Sequence, residues 1–321
     1  MKIDDCLNLK NRILNGEDIT FEEAVALSKL QDKQVLYESA DEIRRHFFNN
    51  AFDLCTITNA KSGKCSENCK WCSQSAWHTT DIEIYPMVEH KRAVSEALHN
   101  ASFGVHRYSL VASGRAVSDA ELDSFLDIYS DIKKQSDINL CASFGLMNKQ
   151  QLQRLKDGGV SQYHCNLETA SSFFPNVCTT HKTEEKLQTI HWAQEVGLRV
   201  CSGGIIGMGE TMDQRIELAF EIKKIGAKSI PINILNPIKG TALENQPPLS
   251  ETEILTTIAL FRFINPQAFL RFAGGRLLIK SFQDNALKAG INASIVGEML
   301  TTAGIAIDQD IKEFRSAGFN V

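Results

Sequence analysis

Three cysteines, Cys65, Cys69 and Cys72, stand four and three residues apart in the segment KSGKCSENCKWCSQS, 61–75. The thiolate is the ligand form of cysteine, and Lys64 and Lys70 beside these residues help to hold its charge. A structural zinc site normally takes four protein ligands, usually as two separated C-x2-C pairs, and no second pair stands nearby. A packing role fits poorly with the polar neighbours Ser66, Glu67, Asn68, Lys70 and Ser73. A [4Fe–4S] cluster on three thiolates leaves one iron open for a substrate to ligate. On these residues alone, zinc stays as the alternative to that cluster.

The surrounding elements have to place partners around this loop. The chain has 34 Lys+Arg against 39 Asp+Glu, a net charge of −5. That balance argues against nucleic acid or an anionic membrane surface as partner. No run of about 18 apolar residues appears, so no bilayer span is expected. The start, MKIDDCLNLKN, carries charges where a signal peptide needs an apolar core. A reducing cytoplasm is therefore the expected location, where nine cysteines do not form a disulfide framework.

Residues 1–48 read as a helical extension, with Thr20 and Glu23 as a capping box. From about residue 50 a unit recurs: a polar-faced helix, a glycine, then a short apolar segment. It is visible in 155–167, 193–205, 222–235 and 286–297, and more loosely in 100–111. With INLCASF (138–144), AFLRFA (268–273) and LCTITNA (54–60), the strand candidates number eight. Ser118, Asn148, Thr211 and Ser250 each precede a Glu or Gln by three positions and predict helix starts. Eight strands alternating with helices predict a (β/α)8 barrel over 49–321, and no Rossmann fingerprint follows the first strand. The cysteine loop then falls just after the first strand, where barrel chemistry gathers. Asn166 and Glu168 share one parity and are expected to face the cavity, with His164 on the same side. Cys165 faces the helices and reads as core.

The motif C-x3-C-x-aromatic-C, with Trp71 as the aromatic, resembles the radical S-adenosylmethionine superfamily. Members use the open iron to bind and reductively split S-adenosylmethionine, and the 5′-deoxyadenosyl radical so formed abstracts hydrogen from an unactivated carbon. VCSGGIIGMGET (200–211), YHCNLET (163–169), SIPINILNPIKGT (229–241) and FLRFAGGR (269–276) look like the biotin synthase family, over about residues 50–302. The resemblance implies sulfur insertion into dethiobiotin, a homodimer, and an electron donor such as flavodoxin or ferredoxin. It implies Cys65, Cys69 and Cys72 as cluster ligands, and Gly203, Ile205, Gly207 and Glu210 as a G-x-I-x-G-x-x-E element near the adenosine. It implies Asn166 and Glu168 at the ribose, although Asp is commoner at the second position, and Asn233 at the ureido ring. Lys186 stands where an Arg often meets the methionyl carboxylate; a lysine keeps the charge and loses the fork.

One departure is informative. The family's auxiliary [2Fe–2S] cluster, the sulfur donor, uses three cysteines and an arginine. Cys141, Cys201 and Arg271 match, but Ser109 stands at the remaining position, and a hydroxyl replaces thiolate poorly on iron. Cys55 and Cys178 are additional. The expectation is a compensated set, Cys55, Cys141, Cys178 and Cys201, holding a four-iron auxiliary cluster as in a subgroup from anaerobes, with Arg271 as ligand or neighbour. Cys6 has no evident role. Related barrels that mature hydrogenase clusters or rearrange amino acids are the rival enzymes, and they would not need the inner cysteines or Asn233. A cluster-carrying scaffold would leave the Gly203–Glu210 element without purpose.

Overall fold

A computed structural model describes residues 1–321. Three helices open the chain: α1 (Ile3–Leu14), α2 (Phe21–Ser28) and α3 (Lys33–Phe48). The strands are β1 (Asp53–Lys61), β2 (Arg107–Ala112), β3 (Asn139–Ser143), β4 (Val160–His164), β5 (Arg199–Cys201), β6 (Gly204–Ile206), β7 (Ser229–Ile234), β8 (Phe269–Phe272) and β9 (Ala293–Ile295). Between them run α4 (His90–Ser102), α5 (Asp119–Lys133), α6 (Lys149–Asp157), α7 (Thr183–Glu195), α8 (Met212–Lys224), α9 (Glu251–Ile264) and α10 (Gln283–Leu287); α11 (Ile307–Ser316) ends the fold.

All strand pairs are parallel, and β1 lies between β2 and β9. β5 and β6 are one barrel strand broken at Ser202–Gly203, since both pair with β7. The sheet therefore closes with eight staves, the (β/α)8 barrel that the repeating pattern predicts. The break has a steric cause. A Cβ on Gly203 would lie 1.9 Å from the Pro231 carbonyl oxygen, and one on Gly204 would lie 2.4 Å from that of Glu168. Only glycines let this strand pass between its neighbours so closely.

The helix starts follow the capping boxes. Thr20, Ser118, Asn148, Thr211 and Ser250 each accept from the backbone N–H three residues on, at 2.9–3.3 Å. Each such cap contributes about 1 kcal/mol. The glycines that close the repeating units, Gly159, Gly197 and Gly226, have φ of 90°, 79° and 67°, which suits glycine at a helix end. One apolar core joins Leu9, Ile13 and Leu27 of the N-terminal helices to the barrel staves, because α2 and α3 lie against α9.

Candidate functional site

Alternate residues of the staves point inward, as period-two geometry requires. They line a cavity of about 420 Å³ that opens at the C-terminal ends of the strands. Its wall includes Cys55, Ser109, Cys141, Gln162, His164 and Cys201, with Pro231, Asn233 and Arg271 opposite. Cys65, Trp71 and Cys72 stand over its mouth, beside Met299 to Thr302. A volume of this size is within the range that holds small substrates.

The mouth loop is built by side chains gripping backbone. The Cys65 and Ala76 amides donate across it to Gln74 and Cys65 carbonyls, at 2.9 and 2.8 Å, and the Gln74 side chain accepts from the Gly63 amide at 3.0 Å. A second loop, 178–181, cradles it. The Asn68 amide accepts from the Thr179 and Thr180 N–H groups at 3.0 and 3.3 Å, and the Lys70 N–H donates to Val177 O at 2.9 Å. The Glu67 carboxylate accepts from His181 Nδ1 at 2.6 Å, Thr180 Oγ1 at 2.7 Å and Arg115 at 3.4 Å. Burial pushes this carboxyl up, but the bonds from Thr180 and His181 outweigh it and hold it below its ordinary value. Burial raises the Cys65 and Cys72 thiols, the latter to about 11. Metal binding must therefore displace protons here.

Near Cys72 lie two opposite charges, the buried Lys186 and the half-buried Glu168. Lys186, on α7, is 8% exposed, and its ammonium lies 5.9 Å from the Phe174 ring centre. Burial pulls it down, yet Cys165 and Glu168 nearby bring it above its ordinary value. Burial raises Glu168, only partly opposed by Lys186. β4 ends its ladder at His164, but the alternation runs on: His164, Asn166 and Glu168 face the cavity, while Cys165 packs in the core as expected. Glu168 adopts φ 74°, held there by its N–H on Gly203 O at 3.1 Å and by Ile205 N on its carbonyl at 2.7 Å. A left-handed non-glycine residue costs about 1–3 kcal/mol, the kind of strain that collects at functional sites. The Asn166 amide ties the arrangement together, accepting from Gly203 N at 2.9 Å and donating to Glu168 at 3.3 Å.

The floor is built differently. Cys55 on β1, Cys141 on β3 and Cys201 on β5 are buried, and burial pushes Cys55 up to about 12 and raises the other two. Ser109 is in register with Cys141 on the neighbouring stave. Arg271 lies among them, 3% exposed. It donates to Asp53 O at 3.1 Å, Ser294 O at 3.0 Å and Ser229 Oγ at 3.4 Å, and it pairs with the Asp53 carboxylate. Arg107 completes that carboxylate's pairing at 3.0 Å.

Cys178 does not join this floor set. Its sulfur lies 3.7 Å from Cys69 Sγ and 3.4 Å from His181 Nδ1, in the cradle under the mouth loop. The cause is the docking of 178–181 on Asn68 and Glu67, which carries the thiol to the mouth. The expected four-thiolate set is thus three thiols and a separate fourth. Gly207 and Glu210 also stand apart from the cavity wall. Glu210 is spent on the loop, accepting from the Gly207 and Met208 amides and Arg215 Nε, each at 2.7 Å. Ile205 does line the cavity. So does Asn233, with its amide clamped between Gly204 O at 3.0 Å and Gly274 N at 2.8 Å. Glu67, His181 and the 299–302 segment carry no sequence signal of a site; in FPNVCTTHK only the cysteine stands out.

Residues 60–222 match the family model of the radical SAM superfamily, and residues 231–320 match that of the biotin and thiamin synthesis associated domain. A biotin synthase of Porphyromonas gingivalis is 54% identical, over 98% of this chain and 95% of that one. One of Clostridium botulinum is 49% identical, over 98% and 99%. The fold is similar to a methylornithine synthase, with TM-score 0.82, 18% identity and coverage of 97% and 96%. It is also similar to the hydrogenase maturase HydG of Carboxydothermus hydrogenoformans, with TM-score 0.81, 17% identity and coverage of 98% and 79%.

Proposed function

The chain belongs to the biotin synthase family of the radical SAM superfamily, and from that premise we propose how its residues divide the work. It is an enzyme that inserts sulfur into dethiobiotin to form biotin, with a [4Fe–4S] cluster and S-adenosylmethionine as cofactors. When bound, that pair supplies the radical that removes hydrogen from saturated carbon. Cys65, Cys69 and Cys72 hold the cluster at the mouth, where Cys65, Trp71 and Cys72 line the cavity and the Cys69 sulfur lies against Cys178. Lys186 receives the methionyl carboxylate, because its buried ammonium has no hydrogen-bond partner of its own and faces Glu168. Asn166 and Glu168 take the ribose, and Gly203, Ile205, Gly207 and Glu210 shape the adenosine wall, the last two from behind it. Asn233 orients the ureido ring of dethiobiotin with Asn166 beside it.

The single observation that carries the reading is one cavity with Cys65 and Cys72 of the cysteine loop at its mouth, the thiols of Cys55, Cys141 and Cys201 at its floor, and Asn166, Glu168 and Asn233 between them. The floor set, Cys55, Cys141 and Cys201, holds the sulfur donor. Arg271 stands beside it as a neighbour, because its guanidinium is already spent on Asp53, Ser294 and Ser229. Three thiolates with no fourth donor would suit a four-iron cluster, which would supply the sulfur. A low-potential flavodoxin or ferredoxin supplies the electron, and the enzyme works as a homodimer in the cytoplasm.

Two measurements test this division. Cys141→Ala should still yield 5′-deoxyadenosine but no biotin, whereas Cys72→Ala should yield neither. Reconstituted protein should hold about eight irons per chain, falling to about four in Cys55→Ala and unchanged in Cys178→Ala. About six irons, indifferent to Cys55, would refute the four-iron floor.

A further inference from the structure

Cys178, His181 and Glu67 have no place in the division above, yet they form a tight set of polar contacts in the cradle. Cys178 and His181 are 3% and 7% exposed. The ligating atoms of Cys69, Cys178 and His181 all lie within 4.8 Å of one another. Two thiolates on one tetrahedral zinc stand about 3.8 Å apart, and a thiolate and an imidazole nitrogen about 3.6 Å apart. The Cys69–Cys178 sulfur separation is 3.7 Å, and the Cys178 sulfur lies 3.4 Å from Nδ1 and 3.9 Å from Nε2 of His181.

The tautomer of His181 is set by its partner. Glu67 is an acceptor only, so Nδ1 carries the proton at 2.6 Å from it, and Nε2 presents a lone pair. A carboxylate behind the imidazole, fixing its tautomer and orientation, is the usual support of a metal-bound histidine. Thr180 and Arg115 in turn hold Glu67.

We propose that the cluster-free enzyme binds one soft divalent cation, of the Zn²⁺ type, on Cys69, Cys178 and His181, with Glu67 orienting the histidine. Both sulfurs bind as thiolates, any proton held between them leaves to solvent, and no oxidation state changes. The fourth position is left to water or to Asn68, whose Oδ1 lies 3.6 Å from the Cys178 sulfur. Because Cys69 is shared, this ion and the mouth cluster exclude each other. That exclusion, though not the site itself, rests on Cys69 being a cluster ligand. The ion thus occupies one of the three cluster thiols until the cluster is delivered.

Cobalt(II) reports the site by its thiolate charge-transfer absorption and tetrahedral d–d bands. Anaerobic titration of the cluster-free full chain should saturate at one equivalent, and Zn²⁺ should displace it. Cys178→Ser and His181→Gln should each weaken binding by about tenfold or more, as loss of one ligand does. Cys72→Ser should retain it. Thermal unfolding of each variant separates a lost ligand from a lost fold, and a pair of folded variants that bind cobalt as the parent does would overturn the proposal. So would loss of binding in Cys72→Ser, which would put the ion within the mouth loop alone. Cluster assembly on zinc-loaded protein should release one Zn²⁺ per chain. Normal cobalt binding without that release would leave the site standing and refute Cys69 as a cluster ligand.

Discussion

The mouth and the floor of the barrel use the same side chain for opposite physical purposes. At the mouth, Cys65, Cys69 and Cys72 are half-buried on a loop held by amides, hydroxyls and a carboxylate from the 178–181 segment and its partners. On the floor, Cys55, Cys141 and Cys201 are buried on the staves themselves, around an arginine tied to Asp53. A loop-borne site can admit and release a cofactor at every turnover, because few of its bonds belong to the barrel. A stave-borne site cannot move without opening the sheet. Under the proposed division, the position of each set matches its part: exchange at the mouth, storage on the floor.

The carboxylates make the contrast measurable, starting with the largest effect. Burial pushes Asp53 up, but Arg271 and Arg107 outweigh it and hold its pKa below the ordinary range. Asp53→Asn leaves the buried Arg271 and the half-buried Arg107 facing a neutral amide and should cost about 3 kcal/mol in denaturant unfolding of the cluster-free protein. For a lowered carboxyl the stability is present above the unfolded value and is lost as pH falls through the folded one. The gap between Asp53→Asn and the parent should therefore close in acid. A gap that persists there would mean that Asp53 is not the charge holding the floor.

Lys186→Met tests the mouth instead. Unfolding should change little, while the Kd for S-adenosylmethionine on cluster-loaded protein should rise about tenfold, equal to about 1.4 kcal/mol. Unchanged binding would take the ammonium out of the cofactor site.

The smallest effect has the opposite sign to the first. Glu168 is raised by burial, so its contribution is full below the unfolded carboxylate value and is lost as pH rises through the folded one. Glu168→Gln should match the parent in acid and exceed its stability by about 1 kcal/mol near neutrality, at the expense of cofactor binding. If both carboxylate variants shifted in the same direction with pH, the contrast between floor and mouth would fail.

The barrel is legible in the sequence because its signals are local and repeat. Capping residues, closing glycines and apolar segments recur within each unit, and the caps at Thr20, Ser118, Asn148, Thr211 and Ser250 all form. The inward parity of Asn166 and Glu168 is legible for the same reason, even though the β4 ladder stops at His164. The break of one stave at Ser202–Gly203 is not, since its cause is the backbone of two neighbours. Nor is the position of Cys178: a contact across 109 residues, made by Asn68 and Glu67, leaves no period in the chain. Glu210 carries a motif residue type, but its oxygens are consumed by the turn after β6. Residue type suggests chemistry; only the hydrogen bonds say which groups are still free to perform it.

Arg271 is a group whose bonds are all spent in this way. Two carbonyls, a hydroxyl and a carboxylate hold it, and all four belong to the staves. Its place does not depend on anything in the chamber. Under the proposed division, a donor that gives up its sulfur would leave behind a mould with walls and charge intact, ready to be refilled without refolding.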